Sequence, residues 1–220
     1  MSATPDRSAS HLGHPAPGCG NPPASDAPAE AWRAYVYRDD NKETDRGLWH
    51  FTSDTGGRFN LPKPDGTCYL ANDPEIALRE RLGLDAVNEY IARDKYEYEL
   101  AKQVEVSRVP IPKSKMADMC HRDAVKVKGL TREIHTGPYE VTQAWAKHFR
   151  SEGFDGVIYE PRHTMYSDDR SYALFGKSGA APELPSPVET LDLDVVLSRA
   201  GIEVEPDPSG NDLVMSEPPN

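Results

Sequence analysis

Two long polar ends bracket the chain, and they limit what it can fold into. Residues 1–31 run through Pro5, Pro15, Pro17, Pro22, Pro23 and Pro28, with Leu12 the only large apolar residue after Met1. A segment of that composition is expected to stay disordered, because it buries too little apolar surface to offset the entropy of ordering it. From residue 180 an acidic, proline-rich tail is expected: after Pro182 there are nine acids against one arginine, ending in Ser216-Glu217-Pro218-Pro219-Asn220. Residues 32–179 remain, and roughly 150 residues is the size of one ordinary domain. The expectation is one folded domain between two disordered ends.

Charge and motif content then exclude several classes. The tail after Pro182 carries -8 of the formal net charge of -11. The remaining lysines and arginines are scattered, which argues against a nucleic-acid backbone as partner, since phosphate tracks need a clustered basic face. No run of about 18 apolar residues is present, so no membrane partner is expected and the cell cytoplasm is the expected location. Cys19, Cys68 and Cys120 are odd in number and never spaced Cys-x-x-Cys, which disfavours a disulfide framework or a structural zinc site. A Gly-x-Gly-x-x-Gly fingerprint is missing. Gly176-Lys177-Ser178 ends like a phosphate-binding loop, but Ser171 stands where the first glycine is required.

Strand-forming runs occupy Trp32–Arg38, Leu48–Thr52, Thr67–Ala71 and Gln103–Ile111, and again Phe154–Glu160 and Tyr172–Phe175. Helices are expected from Pro74 to about Leu82, behind an Asn72 or Asp73 cap, within 84–101, and from Tyr139 to Glu152. Strands at both ends with helices between them make an α+β protein rather than a regular βαβα winding.

Within this frame Glu80 stands out. A helical wheel places it between Ile76 and Ala77 on the inward side, with Glu75 and Arg79 outside. An inward carboxylate is costly unless it is paired, hydrogen-bonded or functional. Arg58 and Tyr69 lie upstream at equal intervals of eleven residues. Gly56-Gly57 before Arg58 suits close approach to a ligand. An arginine, an aromatic ring and a buried acid are what an aromatic nucleotide with a pyrophosphate needs.

Several segments in order resemble the motifs of the RES-domain family. These are Tyr37-Arg38, Gly57-Arg58-Phe59-Asn60-Leu61-Pro62, Gly66-Thr67-Cys68-Tyr69-Leu70-Ala71 and Ala77-Leu78-Arg79-Glu80, followed by Gly153–Tyr159 and Ala173–Gly176. The resemblance implies an ADP-ribosyltransferase-like split sheet with helices, and NAD as a substrate rather than a bound cofactor. It also implies cleavage of the nicotinamide–ribose bond by hydrolysis or phosphorolysis, in a toxin that would have a cognate antitoxin protein. Transfer of ADP-ribose to a protein or small molecule, and a non-catalytic binding module, are the alternatives. Arg58 and Glu80 match the family's Arg and Glu. Its Ser has no clean match, because the expected Tyr-x-Ser reads Tyr159-Glu160-Pro161-Arg162-His163, with Ser167 and Ser171 nearby but out of register.

On that basis Glu80 would stabilise an oxocarbenium-like ribose as nicotinamide departs, and the planar guanidinia of Arg38 and Arg58 would hold the two phosphates. Tyr69 would stack on the nicotinamide or close the pocket. His50 could contact the ribose, since a branch of the wider superfamily carries His, Tyr and Glu in that chain order. His135, and Arg162 with its neighbour His163, are further candidates for the pocket wall.

Overall fold

A computed structural model describes residues 12–36, 47–84, 90–101, 103–162 and 167–206. The chain runs β1 (Ala24–Asp26), β2 (Glu30–Val36), β3 (His50–Phe51), β4 (Asp65–Ala71), α1 (Pro74–Leu82), β5 (Tyr90–Ile91) and α2 (Arg93–Ala101). It continues through β6 (Val104–Pro110), β7 (Lys115–Asp118), 3-10 turns at Arg122–Lys126 and Arg132–His135, and α3 (Tyr139–Ser151). The last elements are β8 (Gly156–Tyr159), β9 (Ser171–Lys177), β10 (Gly179–Ala180), β11 (Glu189–Asp192), α4 (Leu193–Arg199) and β12 (Glu203–Val204). The α+β class expected from the sequence is the one found.

Eight strands form one sheet in the order β1-β7-β8-β9-β4-β2-β6-β11. Every pairing in it is antiparallel except β7 with β8. The sheet is split at its middle. β4 pairs with β9 over seven residues and β2 with β6 over seven, yet β2 and β4 meet only at Trp32 and Ala71. Beyond that point the halves part. Buried Trp145 and Phe149 of α3 share one core with Phe59, Val157 and Ala173. Leu78 of α1 and Val196 of α4 share another with Val104 and Val106 of β6.

Local chemistry sets the start and stop of α1. The Asp73 side chain accepts from the Glu75 amide at 2.8 Å, and Pro74 occupies the first turn, where no amide is needed. Gly83 ends the helix in the left-handed region at φ 64°, which a side chain would strain. Arg79 corrects the helical-wheel reading. It is 6 % exposed, not outward, and its Nε donates to Glu75 Oε1 at 2.8 Å. The salt bridge lets an arginine take a buried position that hydrophobic periodicity alone assigns to solvent.

Both ends are more ordered than their composition suggests. Residues 12–31 are not a disordered extension. Leu12 and Cys19 are buried in the α3 core, Trp145 Nε1 donates to the Gly13 carbonyl at 2.8 Å, and β1 adds an edge strand against β7. Two small apolar anchors and backbone hydrogen bonds dock this segment on a core that other elements supply, so its own composition is a poor guide. The segment 180–206 is likewise structured. Leu191, Leu193, Val196, Leu197 and Ile202 are buried while the acids between them face out, an alternation that averaged charge conceals. Residues 1–11 and 207–220 lie outside the described residues.

Leu12→Ala should therefore lower unfolding stability by about 2–5 kcal/mol, as for other buried leucines. Urea denaturation checks this, and an unchanged midpoint would return residues 12–21 to the status of a passive extension.

Candidate functional site

Where β2 and β4 part, a cleft of about 390 Å³ opens. That size suits a small-molecule site. Arg33, Tyr35 and Val36 line it from β2, and Thr67 and Tyr69 from β4. Arg58 enters from the loop after β3, Glu80 from the last turns of α1, and Tyr139 from the start of α3. Tyr159 and Ser171 close it from β8 and β9, with Arg162 just beyond β8. Arg58, Tyr69 and Glu80, the three residues at intervals of eleven, thus share one cavity with His50 and Arg162. Arg38 and His163 lie outside the described residues.

Glu80 is half-buried, and no salt bridge to it is present among the described residues. Each carboxylate oxygen is met by a neutral donor. The Arg162 backbone amide donates to Oε1 at 2.9 Å, and the Tyr159 hydroxyl to Oε2 at a longer 3.4 Å. Tyr159 is fully buried, and its phenol is pushed well above the usual tyrosine range by that burial and then by the Glu80 charge. It is a fixed neutral donor. The Arg162 guanidinium reaches the Thr136 carbonyl at 3.4 Å and remains exposed.

Arg58 is the counterpart of that carboxylate. It is 7 % exposed, and its Nη1 is buried with no hydrogen-bond partner among the described residues. Burial pushes the guanidinium pKa down, and the nearby positive charge of Arg162 adds to this, while Tyr159, Tyr139 and Glu80 oppose it. The Arg58 Cζ lies 5.6 Å from the centre of the Tyr139 ring, within cation–π range. A buried cation with a donor nitrogen left without a hydrogen-bond partner among the described residues suits an anion.

The loop carrying Arg58 is held from several sides. Thr142 Oγ1 donates to the Arg58 carbonyl at 2.6 Å, and Gln143 Nε2 to the Gly57 carbonyl at 2.8 Å. Tyr69 Oη accepts from the Phe59 amide and donates to Asn60 Oδ1, both at 2.8 Å. The Tyr69 ring lines the cleft, but its hydroxyl is committed to this loop, and burial raises its pKa. Gly57 also differs from expectation. A Cβ there would stand 2.3 Å from Asn60 Oδ1 and 2.7 Å from Tyr69 Oη, so the glycine admits the loop's own clamp rather than a ligand.

Arg33 is a residue the sequence reading missed. It is 8 % exposed and lines the cleft, donating to Cys68 Sγ and, at 3.1 Å, to the His50 carbonyl. Its Nε is buried without a partner among the described residues. The usable signal was an arginine alternating with tyrosine along one face of an apolar strand. His135 is a correction. It lines not this cleft but a second cavity of about 270 Å³, with Cys120, Arg132 and Glu160.

The sequence of residues 30–195 matches the RES domain model, three quarters of the chain, and the protein belongs to the RES-domain family. The fold is that of a chain in the crystal structure of the M. tuberculosis MbcT–MbcA toxin–antitoxin complex. That match has a TM-score of 0.53 at 14% identity, covering 78% of this chain and 88% of that one. Comparison with curated proteins finds no match. No helix among the described residues is long and apolar enough to cross a membrane.

His135 supplies a pH-dependent prediction. Its Nδ1 accepts from the Glu160 amide at 3.1 Å, so the ring must be neutral, and burial holds its pKa down at about 4. An unfolded histidine titrates near 6.5. Between these values the unfolded chain binds the proton and the folded one does not. The stability is therefore complete above pH 6.5 and falls as pH drops toward 4, by up to about 1.4 kcal/mol per pH unit. Urea unfolding at pH 7, 6 and 5 should show this slope in the wild type and a flatter one in His135→Gln.

Proposed function

We propose that the chain cleaves NAD at the nicotinamide–ribose bond and passes the ADP-ribosyl group to water or phosphate. The observation that carries this reading is a Glu80 carboxylate oriented by two neutral donors and sharing a cleft with buried guanidinium nitrogens that have no partner among the described residues. Family membership supports it independently. Arg58 and Arg33 are the described groups suited to hold the pyrophosphate, and Arg38 is a further candidate from the family motif.

Nicotinamide in NAD is a cationic leaving group. The C1′–N bond breaks with its electron pair going to the ring nitrogen, so nicotinamide departs neutral and no general acid is needed. Positive charge moves onto the ribose C1′ and its ring oxygen. A carboxylate oriented beforehand stabilises that charge without reorganising during the reaction. The Arg162 amide and the Tyr159 hydroxyl provide the orientation, one to each oxygen. Attack of the acceptor oxygen on C1′ then completes the transfer, with loss of its proton.

Cytoplasmic action as a toxin, with a cognate antitoxin protein as partner, belongs to the same proposal. The toxin–antitoxin complex whose fold this chain shares is what motivates it.

Incubation with NAD, with and without phosphate, followed by mass identification of products, tests the reaction and names the acceptor. ADP-ribose alone indicates water, and a phosphorylated ADP-ribose indicates phosphate. Binding of NAD without turnover under either condition would overturn the enzyme reading. Glu80→Gln keeps the shape and loses the charge, so it should lower kcat on the order of a hundred- to a thousand-fold with little change in affinity. Arg58→Ala removes a contact already present in the ground state, so it should appear mainly as a KM raised by roughly ten-fold or more. A folded Glu80→Gln protein with wild-type kcat would make Glu80 structural.

A further inference from the structure

The two donors that orient Glu80 are held in different ways. Tyr159 ends β8 inside the sheet, in register with Ser171 of β9. Its phenol takes a side-chain hydrogen bond from Ser171, and its ring centroid lies 4.9 Å from that of Phe59. Arg162 comes three residues later, past the last pairing of β8, yet its amide stands 2.9 Å from Glu80 Oε1. The 3-10 turn Arg132–His135 and the residue after it supply the hold. His135 Nδ1 accepts from the Glu160 amide at 3.1 Å. Arg132 Nη2 donates to both Glu160 carboxylate oxygens, at 3.2 and 2.9 Å, and the Thr136 carbonyl accepts from the Arg162 guanidinium at 3.4 Å.

These contacts are unequal. The Arg132 side chain is 83 % exposed, so water and salt weaken its ion pair with Glu160. His135 is buried, so its hydrogen bond is made where water competes little. The turn that carries it is anchored in turn, with Ile134 in the α3 core and the Thr131 hydroxyl capping the Glu133 amide at 3.3 Å. Pro161 makes the link to Arg162 stiff. Its ring fixes its own φ and confines Glu160 to extended backbone. Tyr159 and Arg162 line the cleft, whereas Glu160 between them lines the second cavity with His135.

We propose that His135 is a positioning residue for Glu80: by accepting from the Glu160 amide, it holds Glu160-Pro161-Arg162 so that the Arg162 amide meets the carboxylate. This rests on the NAD reading of the cleft, in which Glu80 acts on the transition state. Without the acceptor, the Glu160 amide is left unmet and the segment is free to shift. A misplacement of about 1 Å near the reacting atoms can cost on the order of a hundred-fold in rate.

The test is steady-state NAD turnover by wild type, His135→Leu, His135→Gln and His135→Asn, with melting curves to set the folded fraction of each. Asn places its carbonyl oxygen where Nδ1 stands, Gln reaches past it toward the place of Nε2, and Leu offers no acceptor. His135→Leu and His135→Gln should lower the kcat of the folded protein about ten- to a hundred-fold, with KM within about two-fold of wild type. His135→Asn should restore kcat to within about three-fold. If His135→Leu does not fold, Gln against Asn carries the comparison, as two neutral amides that differ in where the acceptor stands. A merely structural histidine would lower the melting point in every variant and leave kcat per folded molecule unchanged. Wild-type kcat in folded His135→Gln, a loss that His135→Asn shares, or a loss confined to KM overturns the proposal and leaves the NAD reading intact. If wild type itself consumes no NAD, that reading fails and takes the proposal with it.

Discussion

Everything at the site follows from how little β2 and β4 share. A continuous antiparallel pairing between them would satisfy their backbone groups and leave no opening. Instead they meet at Trp32 and Ala71 and separate, while each keeps a seven-residue pairing with its outer neighbour. The two halves of the sheet are thereby stable without each other's edges. The gap brings side chains of both strands to its walls, Arg33 and Tyr35 on one, Thr67 and Tyr69 on the other. Helices cover both halves, so the opening does not cost the protein its cores. Polar groups collect at the fork because unpaired strand edges need partners, and a cleft is where a ligand can be one.

Placing an uncompensated arginine in such a gap takes force, and the structure shows where it comes from. Burial of the Arg58 guanidinium opposes folding. The loop around it is therefore clamped by bonds that do not involve the guanidinium: Thr142 and Gln143 of α3 hold its carbonyls, and Tyr69 of β4 holds Phe59 and Asn60. The clamp in turn excludes a side chain at Gly57. Tyr69 thus acts first through position, carrying Arg58 to the cleft from a neighbouring element.

The legible part of the site was the part written in short, local patterns. Glu80 could be placed because a capped helix with Pro74 at its start fixes which way each residue faces, and Arg58 and Tyr69 because their motifs are contiguous. Arg79 on the same helix was misplaced, since its burial depends on a salt bridge to Glu75 that a hydrophobic wheel does not count. Arg33 escaped because its significance depends on β4 turning away from β2 just beyond it. Residues 12–31 were misjudged for a related reason. Their anchors, Leu12 and Cys19, are few, and the core they complete is built by α3, more than a hundred residues later. Composition measures what a segment can bury by itself. It does not measure what another segment can bury for it.

Buried polar atoms without partners are a few per domain in native proteins, and each one lowers stability. Here Arg33 Nε, Arg58 Nη1 and Arg81 Nε, among the described residues, belong to side chains that line one cleft, while Arg93 Nε lies away from it. Their collection around Glu80, whose own two oxygens are both met by donors, separates two kinds of residue in the same cavity. Glu80, Tyr159 and Tyr69 are already held in place by the protein, as groups that must be oriented before a reaction are. Arg33 and Arg58 keep donor nitrogens unmatched among the described residues, as groups that wait for a ligand do. A fold that tolerates that imbalance in its cleft has its stability and its function drawing on the same residues.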